Sequence, residues 1–216
     1  MIKAILLDFD GTLVNADMSE VVADIAGKKE EVRQNNLNFH NGVTKGLTGL
    51  IASINLLKGV SLQQIDEKLN EQDYLMPGAH ELLAYLHENG IISILASGSI
   101  LPVLQHYQKI LRIDYIIGSR PQIKDNIIQG ISEDDYPHAD FKLYETKKML
   151  EALNIDASET IAIGDSPGDK SRFEFSGKSI AINPKGEVEK YADYVIKDSL
   201  LEAISIIEKI RSNKVA

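Results

Sequence analysis

The sequence predicts an α/β protein with a doubly wound, Rossmann-like parallel sheet. Three observations predict it. Short apolar runs of strand length alternate with longer amphipathic segments, the rhythm of successive βαβ units. The runs lack polar–apolar alternation, the mark of strands covered on both faces. Polar residues also gather just where several runs end: Asp8 and Asp10, Ser97-Gly98, and Asp165. In open parallel sheets, ligands bind beyond the carboxyl ends of the strands.

The elements follow in order. Residues 2–7 read as the first strand. Residues 18–72 are polar, rich in helix formers and poor in strand signals. Within them Ser61-Leu62-Gln63-Gln64 has capping-box spacing and opens a helix with Ile65 and Leu69 on one face. Pro77-Gly78 punctuates the chain, and Ala79–Asn89 turns Leu82, Leu83 and Leu86 inward before Gly90 stops the helix. Ile91–Ala96 is a second buried strand, Ile100–Leu111 a helix and Tyr115–Ile117 a short third strand. Gln122–Ile131 reads as a hairpin or loop turning at Asp125-Asn126. Asp140 caps a helix reaching about Leu153, and Thr160–Ile163 is a fourth strand. A helix over 170–176, a strand over Ser179–Ile182, an edge strand over Tyr194–Ile196 and a helix over Leu200–Arg211 complete the chain.

Composition narrows the function classes. The 216 residues carry a net charge of −9, which makes nucleic acid a poor partner because phosphate backbones attract basic surfaces. The absence of cysteine excludes disulfides and thiolate metal sites. The longest uncharged apolar stretches are strand-sized, so no membrane span is expected. The apolar run before Asp8 is too short for a signal peptide, and a cytoplasmic monomer or homodimer is the expectation.

The acids carry the chemistry. Asp8-Phe9-Asp10-Gly11 reads either as a strand end with an ordinary Asp-Gly turn or as a paired carboxylate site. Asp165 alone also reads as a helix N-cap. Together with Asp169, these acids place four carboxylates on one rim, which cannot all ionise unaided. A hard divalent cation resolves the repulsion, and Mg²⁺ suits a site of few carboxylates, waters and a substrate phosphate. Ser97-Gly98 offers a hydroxyl and backbone N–H groups suited to phosphate oxygens at a helix N-terminus. Lys142 sits where an ammonium can neutralise a phosphoryl group or a carboxylate nucleophile, but Lys147 and Lys148 share its helix, and position alone does not choose. The stretch Gly164–Ser171 mimics a phosphate-binding P-loop but has Asp169 where that loop needs glycine, and its acids would repel the ligand. The histidines show no metal-ligand spacing, and no Gly-x-Ser-x-Gly motif is present.

Asp8-Phe-Asp-Gly-Thr-Leu-Val, Ser97-Gly98, Lys142 and Gly164-Asp165-x-x-x-Asp169 resemble, in order and spacing, the four motifs of the haloacid dehalogenase (HAD) superfamily phosphatases. Thr12–Asn15, Leu56-Leu57-Lys58 and Ala181–Tyr194 are most similar to the phosphoserine phosphatase branch. The resemblance implies Asp8 as nucleophile through an aspartyl-phosphate, and Asp10 as general acid and then general base. It implies Mg²⁺ held by Asp8, the Asp10 carbonyl and Asp165 with Asp169 in support. Ser97, Gly98 and Lys142 would then hold the phosphoryl group. The branch has an acid facing the substrate amine, matched here by Asp17, and an arginine facing the substrate carboxylate, whose position here is Ser53. Serine supplies no charged fork, and Lys45 or Lys58 is left as a substitute cation. The asparagine usual inside the last motif is Gly168. The resemblance further implies a small helical cap domain of residues 15–76 inserted after the first strand, over a core of residues 1–14 and 77–216, and hydrolysis of a small phosphorylated metabolite. The alternatives are a sugar phosphate or nucleotide substrate, phosphotransfer, or a receiver-like phospho-aspartate signalling module.

Overall fold

The computed structural model describes residues 1–40, 42–44 and 46–212. In chain order the elements are β1 (Ala4–Leu7), α1 (Met18–Ala23), α2 (Lys29–His40), α3 (Thr48–Asn55), α4 (Leu62–Leu69), α5 (Ala79–Glu88), β2 (Ile92–Ile100), α6 (Leu101–Leu111), β3 (Tyr115–Ser119), β4 (Gln122–Lys124) and β5 (Ile127–Gly130). There follow α7 (Phe141–Ala152), β6 (Thr160–Gly164), α8 (Lys170–Phe175), β7 (Lys178–Ile182), β8 (Tyr194–Ile196) and α9 (Leu201–Ser212).

The central strands are buried because helices cover both faces, which is why their sequences are continuously apolar. They form one parallel sheet in the order β3-β2-β1-β6-β7-β8. The order reverses between β1 and β6, the kind of point at which doubly wound sheets open a crevice. Register matters there. Leu7 lies opposite Leu95 on one side and Ile163 on the other, so β1, β2 and β6 deliver their next residues at one level. Asp8 continues the ladder, donating its N–H to the Ile163 carbonyl at 2.9 Å.

Local sequence rules account for the helix ends. Ser61 and Gln64 form the expected capping box, with Ile65 and Leu69 buried beneath it. Leu82, Leu83 and Leu86 of α5 are buried, each contributing about 1.5–3 kcal/mol of apolar burial. Asp140 accepts from the Leu143 N–H at 3.3 Å and caps α7. Asp125 and Asn126 both have positive φ, 51° and 61°, making the two-residue turn of the β4–β5 hairpin.

One boundary differs in a way that matters. The second strand was expected over Ile91–Ala96, but β2 runs on to Ile100 and slips register against β3 between Ala96 and Ile100. Ser97 and Gly98 therefore lie in an irregular strand extension, and the helix that follows begins later, at Leu101. The Ser119 hydroxyl donates to the Gly98 carbonyl at 2.6 Å and pins the extension.

Helices α1 to α4 come between β1 and α5 in the chain, and α1, α2 and α3 line one cavity with residues at the carboxyl ends of β1, β2 and β6. Their two connections to the sheet run side by side: Asn15 donates to Tyr74 and Met76 to Leu13, both at 2.9 Å. The β4–β5 hairpin is hydrogen-bonded to residues 59–62, and α4 packs on α6. One apolar cluster runs from the sheet through Met18, Ile54 and Ile65. Among the described residues, no helix is long and apolar enough to cross a membrane.

Candidate active site

After β1 the chain turns sharply. The Phe9 carbonyl accepts from the N–H groups of Thr12, Leu13 and Val14, and Gly11 takes a φ of 79° that side chains resist. The turn separates the two acids. Asp8 is 5% exposed, and its Oδ1 lies 2.7 Å from Lys142 Nζ and 3.2 Å from Arg172 Nη2. Asp10 points elsewhere. Its Oδ1 accepts from the Met18 N–H in the first turn of α1 at 2.7 Å, and its Oδ2 from the hydroxyls of Ser99 at 3.0 Å and Ser97 at 3.3 Å.

After β6 come the other two acids. Asp169 is fully buried and saturated with donors. Its Oδ2 accepts from the N–H groups of Asp165 at 3.1 Å and Ser166 at 3.2 Å, while Oδ1 accepts a short bond from Arg172 and lies 3.9 Å from Lys142 Nζ. Asp165 is the opposite case. It is buried, its Oδ2 forms an ion pair with Lys185 at 2.7 Å, and no well-aligned hydrogen-bond donor reaches either oxygen.

Burial and neighbouring charge set the protonation of these acids. Burial first, then the Asp17 charge, pushes Asp10 up to about 8. Burial and then Asp8 push Asp165 up to about 7. Burial and then Asp169 raise Asp8, against the pull of Lys142 and Arg172. Asp169 is buried as deeply, yet Arg172 and Lys142 hold it below the usual carboxylate range.

Carboxylate oxygens of Asp8, Asp165 and Asp169 lie within 4.8 Å of one another. An all-oxygen cluster that includes a buried, unpartnered carboxylate oxygen, Asp165 Oδ1, fits a hard divalent cation. Of the three acids, Asp169 has its oxygens occupied by donors, whereas Asp165 has Lys185 at Oδ2 and an unpartnered Oδ1.

The site opens into a cavity of about 630 Å³. Asp8, Asp10, Ser97, Gly98, Lys142 and Asp165 all line it, so the residues singled out from sequence converge on one space, with Asp169 just behind. Lys142 is the lysine of its helix that reaches the acids; Lys147 and Lys148 instead lie over the rings of Phe175 and Tyr144. The cap positions line the cavity too. Asp17 caps α1 through Oδ1, accepting from the N–H groups of Ser19 and Glu20, and its Oδ2 accepts from Asn36 at 2.7 Å. Ser53 accepts from the Asn35 amide at 3.2 Å. Lys58 is exposed beside Gly130 and does not line the cavity, and Lys45 lies outside the described residues. Gly168 sits in the short turn of residues Pro167–Asp169.

Three contributors escaped the sequence reading. Ser99 follows Ser97 at strand spacing, a signal that was available. Lys185 follows the carboxyl end of β7, a fourth strand end on the same edge. Arg172 stands three residues after Asp169, where helical spacing sets two side chains on one face.

The comparisons agree with this geometry. A family model described as haloacid dehalogenase-like hydrolase matches residues 5–173. The phosphoserine phosphatase of Methanocaldococcus jannaschii is 28% identical over 207 residues, covering 95% of this chain and 98% of that protein. That of Campylobacter jejuni subsp. doylei is 28% identical over 209 residues, covering 96% and 100%. Among solved structures, a phospho-aspartyl intermediate analogue of phosphoserine phosphatase superposes with a TM-score of 0.84 at 27% identity, covering 95% of this chain and 98% of that one. A substrate-bound phosphoserine phosphatase complex gives 0.82 at 26%, with the same coverage. The family match spans most of the chain and the relatives match end to end: the chain belongs to the haloacid dehalogenase-like hydrolase family, as an enzyme of its phosphatase kind.

Proposed function

We propose that the protein is a Mg²⁺-dependent phosphomonoester hydrolase that works through an aspartyl-phosphate on Asp8. The observation that carries this is the division between two acids on one cavity. Burial raises Asp8, but two cations flank it and pull it toward the ionised form a nucleophile needs. Asp10 is flanked by neutral donors and pushed up to about 8, as a proton donor at neutral pH requires.

The residues then act as follows. A carboxylate oxygen of Asp8 attacks phosphorus while the phosphorus–oxygen bond to the alcohol breaks, and Asp10 gives its proton to the departing oxygen. Asp10, now ionised, accepts a proton from the water that attacks the aspartyl-phosphate, and the bond to Asp8 breaks. Ser97, the Gly98 amide and Lys142 hold the phosphoryl oxygens, so the work is positioning and charge neutralisation. Asp8, Asp165 and the Asp10 carbonyl are the residues to hold Mg²⁺, with Asp169 supporting them from behind. When bound, the ion would supply positive charge that favours the ionised forms of Asp8 and Asp165 and screens the phosphoryl group.

The helical layer of residues 15–76 serves as a cap, and its wall chooses the substrate. Asp17 suits an amino group and Ser53 a neutral polar group, so a small phosphorylated metabolite is the substrate class. The named activity of the relatives makes phosphoserine the first compound to assay.

The direct test is turnover of an aryl phosphate with Mg²⁺. The expected result is activity in the native protein and a loss of at least roughly a thousandfold in Asp8→Asn with the fold retained by circular dichroism. Undiminished turnover in Asp8→Asn would sink the reading.

A further inference from the structure

Among the described residues, Arg172 is the largest fully buried side chain, at 1% exposed. A buried guanidinium is costly to desolvate and finds its place only among partners that compensate it. Its Nη1 donates to the Leu7 carbonyl at the end of β1 at 3.2 Å, and its Nη2 bridges Asp8 Oδ1 and Asp169 Oδ1. It does not line the cavity. Nor does Asp8 depend on it for charge alone, since Lys142 already lies 2.7 Å from the same oxygen.

What Arg172 adds is a mechanical link. Asp169 Oδ2 is held by the backbone N–H groups of Asp165 and Ser166. The path Asp8–Arg172–Asp169–Asp165 thus joins the end of β1 to the end of β6 across the point where the strand order reverses. Asp8 and Asp165 are the two acids of this path that face the cavity.

We propose that Arg172 is the positioning residue of this site: a buried strut that fixes Asp8 against Asp165, with a fixed charge that competes with the divalent cation for the same acids. The proposal rests on the phosphatase reading for its kinetic arm and stands apart from it in its binding arm. A planar fork spans two carboxylates where an ammonium, a point charge, meets them one at a time. Removing the charge deepens the negative potential that draws a cation, while loosening the geometry that catalysis needs.

The test uses chelator-stripped native protein, Arg172→Lys and Arg172→Met, each checked for fold by circular dichroism. Mg²⁺ affinity is read by titration calorimetry, and kcat and KM with an aryl phosphate at saturating Mg²⁺. Arg172→Lys is expected to lose roughly tenfold in kcat, with KM and Mg²⁺ affinity within about twofold of native. Arg172→Met is expected to lose about a hundredfold or more in kcat while binding Mg²⁺ roughly tenfold more tightly. Folded variants with native kcat and native Mg²⁺ affinity overturn the proposal, as does a rise in KM at native kcat, which makes Arg172 a substrate contact. A fall of Mg²⁺ affinity in step with kcat overturns it as well. Should Arg172→Met fail to fold, Arg172→Lys decides by its kcat. A native protein inert toward the aryl phosphate defeats the phosphatase reading, while tighter Mg²⁺ binding by Arg172→Met still supports the competing charge.

Discussion

Asp17→Asn probes how the cap reaches the chemistry. Asp17 is the largest contributor after burial to the raised pKa of Asp10. It is also the N-cap of α1, accepting from Ser19 at 3.0 Å and Glu20 at 3.2 Å. Asparagine caps a helix about as well as aspartate, so its side-chain oxygen keeps both bonds and α1 stays in place. Asn36, which donates to the other oxygen at 2.7 Å, turns its amide to offer its own oxygen. The substitution therefore removes a charge and little else.

The sign follows from the role of Asp10. As general acid it must carry a proton, so the rate falls as pH rises through its pKa of about 8. Taking away a neighbouring negative charge stabilises ionised Asp10 and lowers that pKa by roughly one unit, the ordinary scale of a single near charge. At pH 8 the native acid is then half protonated and the variant about one part in eleven, so the variant is roughly fivefold slower at pH 8 and native-like below about pH 6. The assay is phosphate release from an alkyl phosphate without an amino group, whose poor leaving group needs the acid and whose chemistry avoids direct contact with Asp17. A basic limb that stays where it was, or moves to higher pH, refutes both the electrostatic link and the assignment of Asp10.

Two further outcomes are expected. Added Mg²⁺ stabilises the chelator-stripped protein by about 2.7 kcal/mol at a hundred times its dissociation constant, visible as a rise of roughly 5–10 °C in melting temperature. Asp165→Asn loses that rise, and an equal rise in the variant removes Asp165 from the ligand set. Gly78→Ala tests the entry to α5: φ is 84°, and an added Cβ would stand 2.6 Å from the Leu201 N and 3.1 Å from the Leu200 carbonyl carbon. Strain and backbone displacement of about 2–3 kcal/mol lower the melting temperature by roughly 4–10 °C without changing kcat, as scanning calorimetry and a rate assay would show.

The fold was legible wherever one physical rule governed a whole segment. Burial on both faces made β1, β6 and β7 uniformly apolar, and the Asp125-Asn126 turn announced its hairpin through residues that tolerate positive φ. What misled was β2. A strand that bulges carries no alternation to mark its continuation, and Ser97-Gly98 looked like the loop after a strand when it is the irregular part of one. The error concerned the phosphate cradle alone: its N–H groups belong to a strand extension pinned by Ser119, not to a helix terminus.

The candidate site was legible to the extent that its acids sit next to strand ends, and illegible where roles depend on partners brought from far along the chain. Asp8-x-Asp10 reads as a like pair, since alternate residues of an extended strand share a face. The chain does not stay extended. Phe9 is wholly buried against Tyr107 at 5.2 Å, its carbonyl closes the turn, and the two acids leave in different directions. Asp8 meets Lys142 from α7 and Arg172 from α8; Asp10 meets only neutral donors from α1 and β2. Burial raises both acids, but at Asp8 the charges of Lys142 and Arg172 oppose the rise, whereas at Asp10 the charge of Asp17 adds to it. The proposed difference between a nucleophile and a proton donor thus rests not on the two aspartates, which are chemically the same, but on the turn closed by the Phe9 carbonyl, which sends them to different neighbours.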